Sequence, residues 1–403
     1  MRVKDITVRE IFDSRSGPTI EVRGRNPLIS ASVPSGKSRG NREAKVFSFR
    51  EAFLGIKTIV KNLGGRNFQS VRDLDEALLR LDGTANKSKL GGNVTLAVSM
   101  FGARMLAAER GKEVWQVLRE EFFKGAKDVP PLIFSNLING GAHAANNLDI
   151  QEYMVVVHPV RTSSNGVKSG KSVAEDIQAL IRFYRELGDL FKKTRKIQNI
   201  PIGDEGGYSL NFKSNFEPIT VLEKLVKKFH LESRFGLALD VAASGFLKNG
   251  EYYFSGKRFS SEQLAAEYLC YFKKSKFLFS VEDPFAERDA QGFALLREKL
   301  PDAWVVGDDL TTTNPTTIQK YAHEGVINAV IIKPNQIGTI SEACKAIAVA
   351  KKHGLKTIVS HRSGETEDSF ITHLAKAGGA DGVKIGAPIR ERISKFNELA
   401  RIY

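Results

Sequence analysis

Six apolar runs in the second two-thirds of the chain, FGLALDVA, FLFSVEDP, AWVVGDDL, INAVIIKPN, LKTIVSHRS and GVKIGAP, read as strands. Each ends at or near a charged or polar residue: Asp240, Glu282, Asp308, Lys333, His361 and Lys384 in turn. The steps between these residues are 42, 26, 25, 28 and 23 positions, sizes that fit one strand-helix unit each. Amphipathic stretches such as SEQLAAEYLCYFKK, PTTIQKYAHEG and TISEACKAIAVAKKHG fill the intervals. Few folds are open to a chain of parallel βα units with a reactive side chain at the tip of strand after strand. The expected class is α/β, with a C-terminal (β/α)8 barrel whose strand ends converge on one mouth, where such barrels hold their chemistry.

The beginning of the chain obeys a different rhythm. KDITVREIF, TIEVRGR and LISASV alternate apolar and polar residues and are separated by SRSGP and NP, a meander of three strands. From about Arg50 to Lys124 the period becomes helical, in EAFLGIKTIVKNL, VRDLDEALLRL, NVTLAVSMFGARMLAAE and EVWQVLREEFF. Strands followed by segregated helices make a small α+β domain. The Gly- and Pro-containing stretch KGAKDVPPL is the linker, so the expected domains are 1–128 and 129–403.

Composition removes several classes of protein. Apolar residues make up 42% and charged residues 26%, which is ordinary for a folded chain and unlike a disordered or collagenous one. No run approaches the roughly 18 apolar residues of a membrane span. The start, MRVKDITVREIFDSR, has no signal-peptide core, so a cytoplasmic protein without a membrane partner is expected. Cys270 and Cys344 lie far apart in helix-like contexts and read as reduced thiols. The unusual quantity is charge: 60 Lys and Arg against 46 Asp and Glu give +14. That excess suits nucleic acid, an anionic surface or a small anionic substrate, and composition does not choose among them.

The strand ends narrow the choice. Asp240, Glu282 and Asp308 supply three hard oxygen ligands, a set that suits Mg²⁺. Lys333 lies in an apolar run, an awkward place for an unpaired ammonium. Near a divalent cation and Lys384 its pKa is expected to fall, making a neutral amine available as a general base. Glu205 in GDEGGY and His143 in INGGAHAANN lie on Gly-rich loops, His143 as a lid candidate. Glu152, at the start of another apolar run, could pair with Glu205, one carboxyl raising the pKa of the other. The stretch ASVPSGKS mimics a phosphate-binding Walker loop, but Ala31 replaces its first glycine and Pro34 lacks an amide hydrogen, so ATP binding is not expected there.

Taken together, FDSRSGPTIEV, LDGTANKSKLGGNVTLAVS, INGGAHAANNLDIQEYM, IGDEGGYSLN, SVEDPF, VGDDLTTTNP, IKPNQIGTISE, SHRSGETEDSFI and VKIGAPIRERISKFNELARI resemble the enolase family over essentially the whole chain. The resemblance implies a phosphopyruvate hydratase, a hydro-lyase of glycolysis and gluconeogenesis that interconverts 2-phosphoglycerate and phosphoenolpyruvate. It implies two Mg²⁺ per site, one on Asp240, Glu282 and Asp308 and a second joined by Ser35. It makes Lys333 the base at C2, and Glu205 with Glu152 the pair assisting loss of the 3-hydroxyl. Lys384 would meet the substrate carboxylate, Arg362 and Ser363 the phosphate with His361 beside them, and His143 would close over the substrate. A homodimer or dimer-based larger oligomer follows from the same resemblance.

Three features depart from the family pattern. DSRSGP stands for the usual DSRGNP, SGKSRG for SGASTG with Lys37 and Arg39 beside Ser35, and the chain is basic where relatives are acidic or near neutral. Two alternatives remain weaker. The superfamily's racemases and lactonising enzymes place paired lysines where this chain has GDEGG. An added RNA or polyanion role would rest on KKTRK at 192–196, on GVKSGK and on the net charge, but basic runs without interleaved aromatics are a weak signal.

Overall fold

The computed structural model describes residues 1–26, 28–36, 42–159 and 172–403. Lys37, Arg39 and the GVKSGK stretch lie outside these residues.

The small N-terminal part opens with an antiparallel meander of β1 (Thr7–Phe12), β2 (Pro18–Arg23) and β3 (Ser30–Ser32). Four helices follow: α1 (Phe49–Leu63), α2 (Val71–Asp82), α3 (Gly92–Glu109) and α4 (Val114–Phe122). Local chemistry marks their starts. Ser48 and Glu51 form a capping box at α1, and Ser70 accepts from the Asp73 amide at α2. The exception is α3, which lacks a polar stripe and is buried through most of its length, as a helix packed on every side must be. It contacts the meander on one side and the barrel on the other.

The barrel begins with β4 (Leu132–Asn139) and β5 (Glu152–Val157), then α5 (Val173–Arg195), α6 (Glu217–Lys228) and β6 (Phe235–Asp240). A small side sheet of β7 (Leu247–Lys248), β8 (Glu251–Phe254) and β9 (Lys257–Phe259) interrupts the series. It resumes with α7 (Ser261–Lys274), β10 (Leu278–Glu282), α8 (Ala290–Lys299), β11 (Trp304–Gly307), α9 (Pro315–His323) and β12 (Ala329–Ile332). Then come the short α10 (Pro334–Ile337), α11 (Ile340–Lys352), β13 (Lys356–Ser360), α12 (Phe370–Gly378), β14 (Gly382–Ile385) and α13 (Ile393–Ile402).

Eight strands, β4, β5, β6 and β10 to β14, close into the barrel. One feature corrects the all-parallel expectation: β5 runs antiparallel to both β4 and β6. The connection between β4 and β5 holds a single 3-10 turn at Gly141–His143 and no α-helix to carry the chain back along the barrel, so it returns as an antiparallel neighbour. The reversal matters for function, since it brings the first residue of β5, not its last, to the mouth. Glu152 therefore stands in register with Asp240 and Asn139, the final residues of β6 and β4.

Below the mouth the barrel is filled by Phe134, Met154, Val156, Ala238, Val306, Ala329, Ile331 and Ile358. A second apolar cluster runs continuously through the outer barrel layer and the small domain. Polar strand tips thus sit on a packed, dry plug, the arrangement that raises electrostatic interactions above their strength in water. Cys270 and Cys344 are free thiols on α7 and α11. Among the described residues no helix is long and apolar enough to cross a membrane. The KKTRK run forms the last turn and cap of α5, where cations complement the helix dipole.

Candidate active site

A pocket at the barrel mouth is lined by His143, Glu152, Glu205, Asp240, Asp308, Lys333, His361, Arg362, Ser363 and Lys384, with Gln151, Ala242, Asp283, Asp309 and Ser360. Ten of the twelve residues singled out from sequence are therefore together. Glu282 joins them through Lys384. Ser35 stands aside: its hydroxyl donates to Asp13, accepts from Arg15 at 3.0 Å, and its backbone bridges to Gly364.

The two strand-end lysines are each committed to carboxylates. Lys384 Nζ lies 2.9 Å from Asp240, 2.8 Å from Glu282 and 3.2 Å from Glu152. Lys333 is ion-paired with Asp308. Burial alone would lower both amines, yet Asp308 holds Lys333 above the usual lysine range, and Asp240, Glu152 and Glu282 do the same for Lys384. Without a cation, the carboxylate facing Lys333 outweighs the neighbouring Arg362 and Lys384; the lowered pKa is expected with a divalent cation at the site.

The acids divide by environment. Burial, with Asp240 next to it, pushes Glu282 up to about 8. Glu282 Oε1 has no hydrogen-bond partner. Burial and the neighbouring Glu205 charge raise Glu152 well above the usual carboxylate range. Burial would also raise Glu205, but His361 and His143 beside it hold it well below. Its Oε2 accepts from Asn136 Nδ2 at 3.1 Å and lies 3.5 Å from His361 Nε2, while its Oε1 lies 3.6 Å from His143 Nδ1. Burial pushes His361 down to about 4, so at neutral pH this imidazole is uncharged and acts on Glu205 as a hydrogen-bond donor. The surroundings thus drive the two carboxyls apart, Glu152 upward and Glu205 downward.

The glycines of GDEGG explain how Glu205 gets there. A side chain at Gly203 would come within 2.6 Å of the His143 carbonyl, and one at Gly207 within 2.5 Å of Asn139 Oδ1. Gly206 adds a positive φ of 84° that glycine alone adopts without strain. The loop therefore lies directly on the His143 turn. His143 itself is buried against Glu205 and Glu152.

Sequence reasoning missed the second acids of two doublets. Asp283 accepts from the amides of Asp308 at 2.9 Å and Asp309 at 2.8 Å, and oxygens of the three carboxylates lie within 4.8 Å of one another. Their signal was present in EDP and GDDL, where an acid follows the strand-end acid. Gln336 was also missed; its Nε2 donates to Asp308 Oδ1 at 3.0 Å.

The donor set fits a hard divalent cation. Buried carboxylates outnumber the cationic groups that meet them, Glu282 Oε1 is unpartnered, and oxygen is the ligand atom offered throughout. The description "Enolase, N-terminal domain" matches residues 3–118, and "Enolase, C-terminal TIM barrel domain" matches residues 127–403. The chain belongs to the enolase family. The curated enolase of Methanocaldococcus jannaschii is 38% identical over 99% of this chain and 94% of its own length. That of Campylobacter lari is 39% identical over 99% and 96%. The activity is accordingly that of a phosphopyruvate hydratase, a lyase. The family depends on Mg²⁺ in general, and the acidic groups at this mouth are of the kind that holds it.

Proposed function

We propose that this mouth interconverts 2-phosphoglycerate and phosphoenolpyruvate, with Asp240, Glu282 and Asp308 holding one Mg²⁺ and Ser35 contributing to a second. What carries the reading is the convergence of three acids and two lysines from successive strand ends, each lysine already bonded to one or more of the acids. Mg²⁺, when bound, neutralises the charge that gathers on the substrate carboxylate as the C2 proton leaves.

The remaining work falls to this chain's own side chains. Lys333 takes the C2 proton, which requires its amine neutral; engagement of Asp308 away from Lys333 is therefore the precondition for catalysis. Lys384 meets the substrate carboxylate and stabilises the developing dianion. Glu152 holds a proton and Glu205 a charge, the split needed to donate a proton to the departing 3-hydroxyl and to orient it. Arg362 and Ser363 hold the phosphate beside His361, and His143 closes the site against water. A cytoplasmic homodimer, or a dimer-based larger assembly, is supported by family habit, and a domain boundary near Asp128 by the extended chain between α4 and β4.

The test is an assay of phosphoenolpyruvate formation from 2-phosphoglycerate. Activity should vanish on chelation, return with Mg²⁺, and fall by about 10²–10⁴ in Lys333→Ala. A folded, Mg²⁺-loaded protein without activity would overturn the reading.

A further inference from the structure

The guanidinium assigned to the phosphate already has an anion in its fork. Glu43, from the segment between β3 and α1, reaches both terminal nitrogens of Arg362: Oε2 lies 3.2 Å from Nη1 and Oε1 lies 3.2 Å from Nη2. Both side chains are only 5% exposed. The forked geometry is the one arginine also offers to phosphate, so a phosphate and Glu43 contend for the same donors.

The surroundings determine how that contest can be resolved. The Ala44 amide donates to the Gln336 carbonyl at 2.8 Å, which anchors the backbone just after Glu43 to the barrel, and the Arg42 side chain donates to the Leu310 carbonyl at 2.7 Å. Rotation of the Glu43 side chain about this anchor frees the fork. A second resting place is at hand, since Gln336 Nε2 lies 3.5 Å from Glu43 Oε1. The arginine stays oriented during the exchange because Nη1 also donates to Asn335 Oδ1 at 3.2 Å.

We propose that Glu43 sets the affinity of the phosphate subsite, as an internal carboxylate that an incoming anion has to displace from the Arg362 fork. This rests on the reading of Arg362 as the phosphate holder. A phosphate dianion brings a second charge and a third oxygen to the exchange, and gains by it. A hydroxy acid without phosphate offers only another carboxylate, and gains nothing. Displacing Glu43 lowers the affinity of every anion for the fork by one common factor, and only a ligand with the strength of a phosphate dianion still occupies it. If the fork is open about a tenth of the time, its affinity for phosphate is about tenfold below its intrinsic value.

The experiment titrates the Mg²⁺-loaded full chain with inorganic phosphate and, separately, with glycerate, in wild type, Glu43→Gln, Glu43→Asp and Arg362→Ala. Glu43→Gln is expected to bind phosphate about tenfold tighter, and glycerate entering the fork tighter by the same factor, leaving the ratio between them unchanged. Glu43→Asp, which keeps the charge but shortens the reach, shifts both in the same direction by less and guards against a misfolded Gln variant. Phosphate binding unchanged or weakened in Glu43→Gln, with binding abolished in Arg362→Ala, would show that Glu43 merely organises the arginine and would overturn the proposal. Phosphate binding undiminished in Arg362→Ala would overturn the assignment of Arg362 as well.

Discussion

Asp368 and Glu282 are both buried carboxylates, and they live in opposite circumstances. Asp368 joins the barrel to the small domain. Arg104 of α3 forks it at 2.6 and 2.8 Å, and the amides of Ser32 and Phe370 donate to it at 3.1 and 2.9 Å. Burial would raise its pKa, but Arg104 holds it below the usual range. Glu282 shares a single lysine with Asp240 and Glu152, leaves Oε1 unpartnered, and is pushed up to about 8. At the joint the Asp368 charge is fully met by partners within the chain. At the mouth, acids outnumber their partners, and the balance is left for ligands to complete. Structural stability and ligand binding are thus assigned to different buried charges.

The largest effect expected from this contrast is on stability. Asp368→Ala strands the Arg104 guanidinium and should cost about 3–5 kcal/mol in urea unfolding. Glu282→Gln, measured without metal, should cost less than about 1 kcal/mol because it removes a crowded charge, while abolishing activity. Equal losses in the two variants would erase the distinction drawn here.

Asp75 supplies an intermediate case at the domain joint. Burial pushes its carboxyl up to about 7, against the hydroxyls of Ser99 and Ser341 and the Ser341 amide, and with the Glu342 charge adding to the rise. Lys87 faces that same Glu342 at 2.6 Å, and Arg72 and Glu121 lie on the flanking helices. The folded pKa exceeds the unfolded one, so the folded state binds more protons between about pH 4 and pH 7, and stability falls as pH rises through that window. Asp75→Asn should remove the dependence. Its stability relative to wild type should grow from pH 4 to pH 8 by an amount of up to about 4 kcal/mol. Parallel unfolding curves at the two pH values would show that Asp75 titrates normally.

Metal should distinguish the mouth from the joint next. At a hundred times its dissociation constant, Mg²⁺ is expected to stabilise wild type by about 2.7 kcal/mol, read as a rise in thermal midpoint, and to leave Glu282→Gln unmoved. A rise of the same size in both would place the cation elsewhere. The smallest effect concerns Ser16, which takes a φ of 62° in the DSRSGP turn, a conformation glycine holds more cheaply. Ser16→Gly should gain up to about 1 kcal/mol in denaturant titration, without the coupling to metal seen at the mouth.

Much of the mouth was legible before any fold was in view. Strand-end placement of Asp240, Glu282, Asp308, Lys333, His361 and Lys384 follows from short continuous apolar runs that end at or near a charged or polar residue, and such runs are local features. The second acids, Asp283 and Asp309, were passed over because alternation assigns them to the opposite side of the strand. Their amide and carboxylate bonds, with Asp283 at a φ of 39°, turn them back to the same cluster. Glu43 carried no local signal at all, since its partner is 319 residues away in sequence. Nor could alternation reveal the reversal of β5, which depends on a connection without a crossover helix and not on side-chain period.

Sequence alone determined which chemical groups the protein brings to its mouth, because hydrophobic periodicity and turn residues act over a few positions and fix where strands end. Only the tertiary structure decided which charge faces which. Lys333 faces Asp308, which raises its pKa in the absence of a cation, a pairing that nothing in its own apolar run announces. The reason is physical: in a buried site the strength of an interaction is set by distances of a few ångströms and by the loss of water, and neither is written in the order of residues.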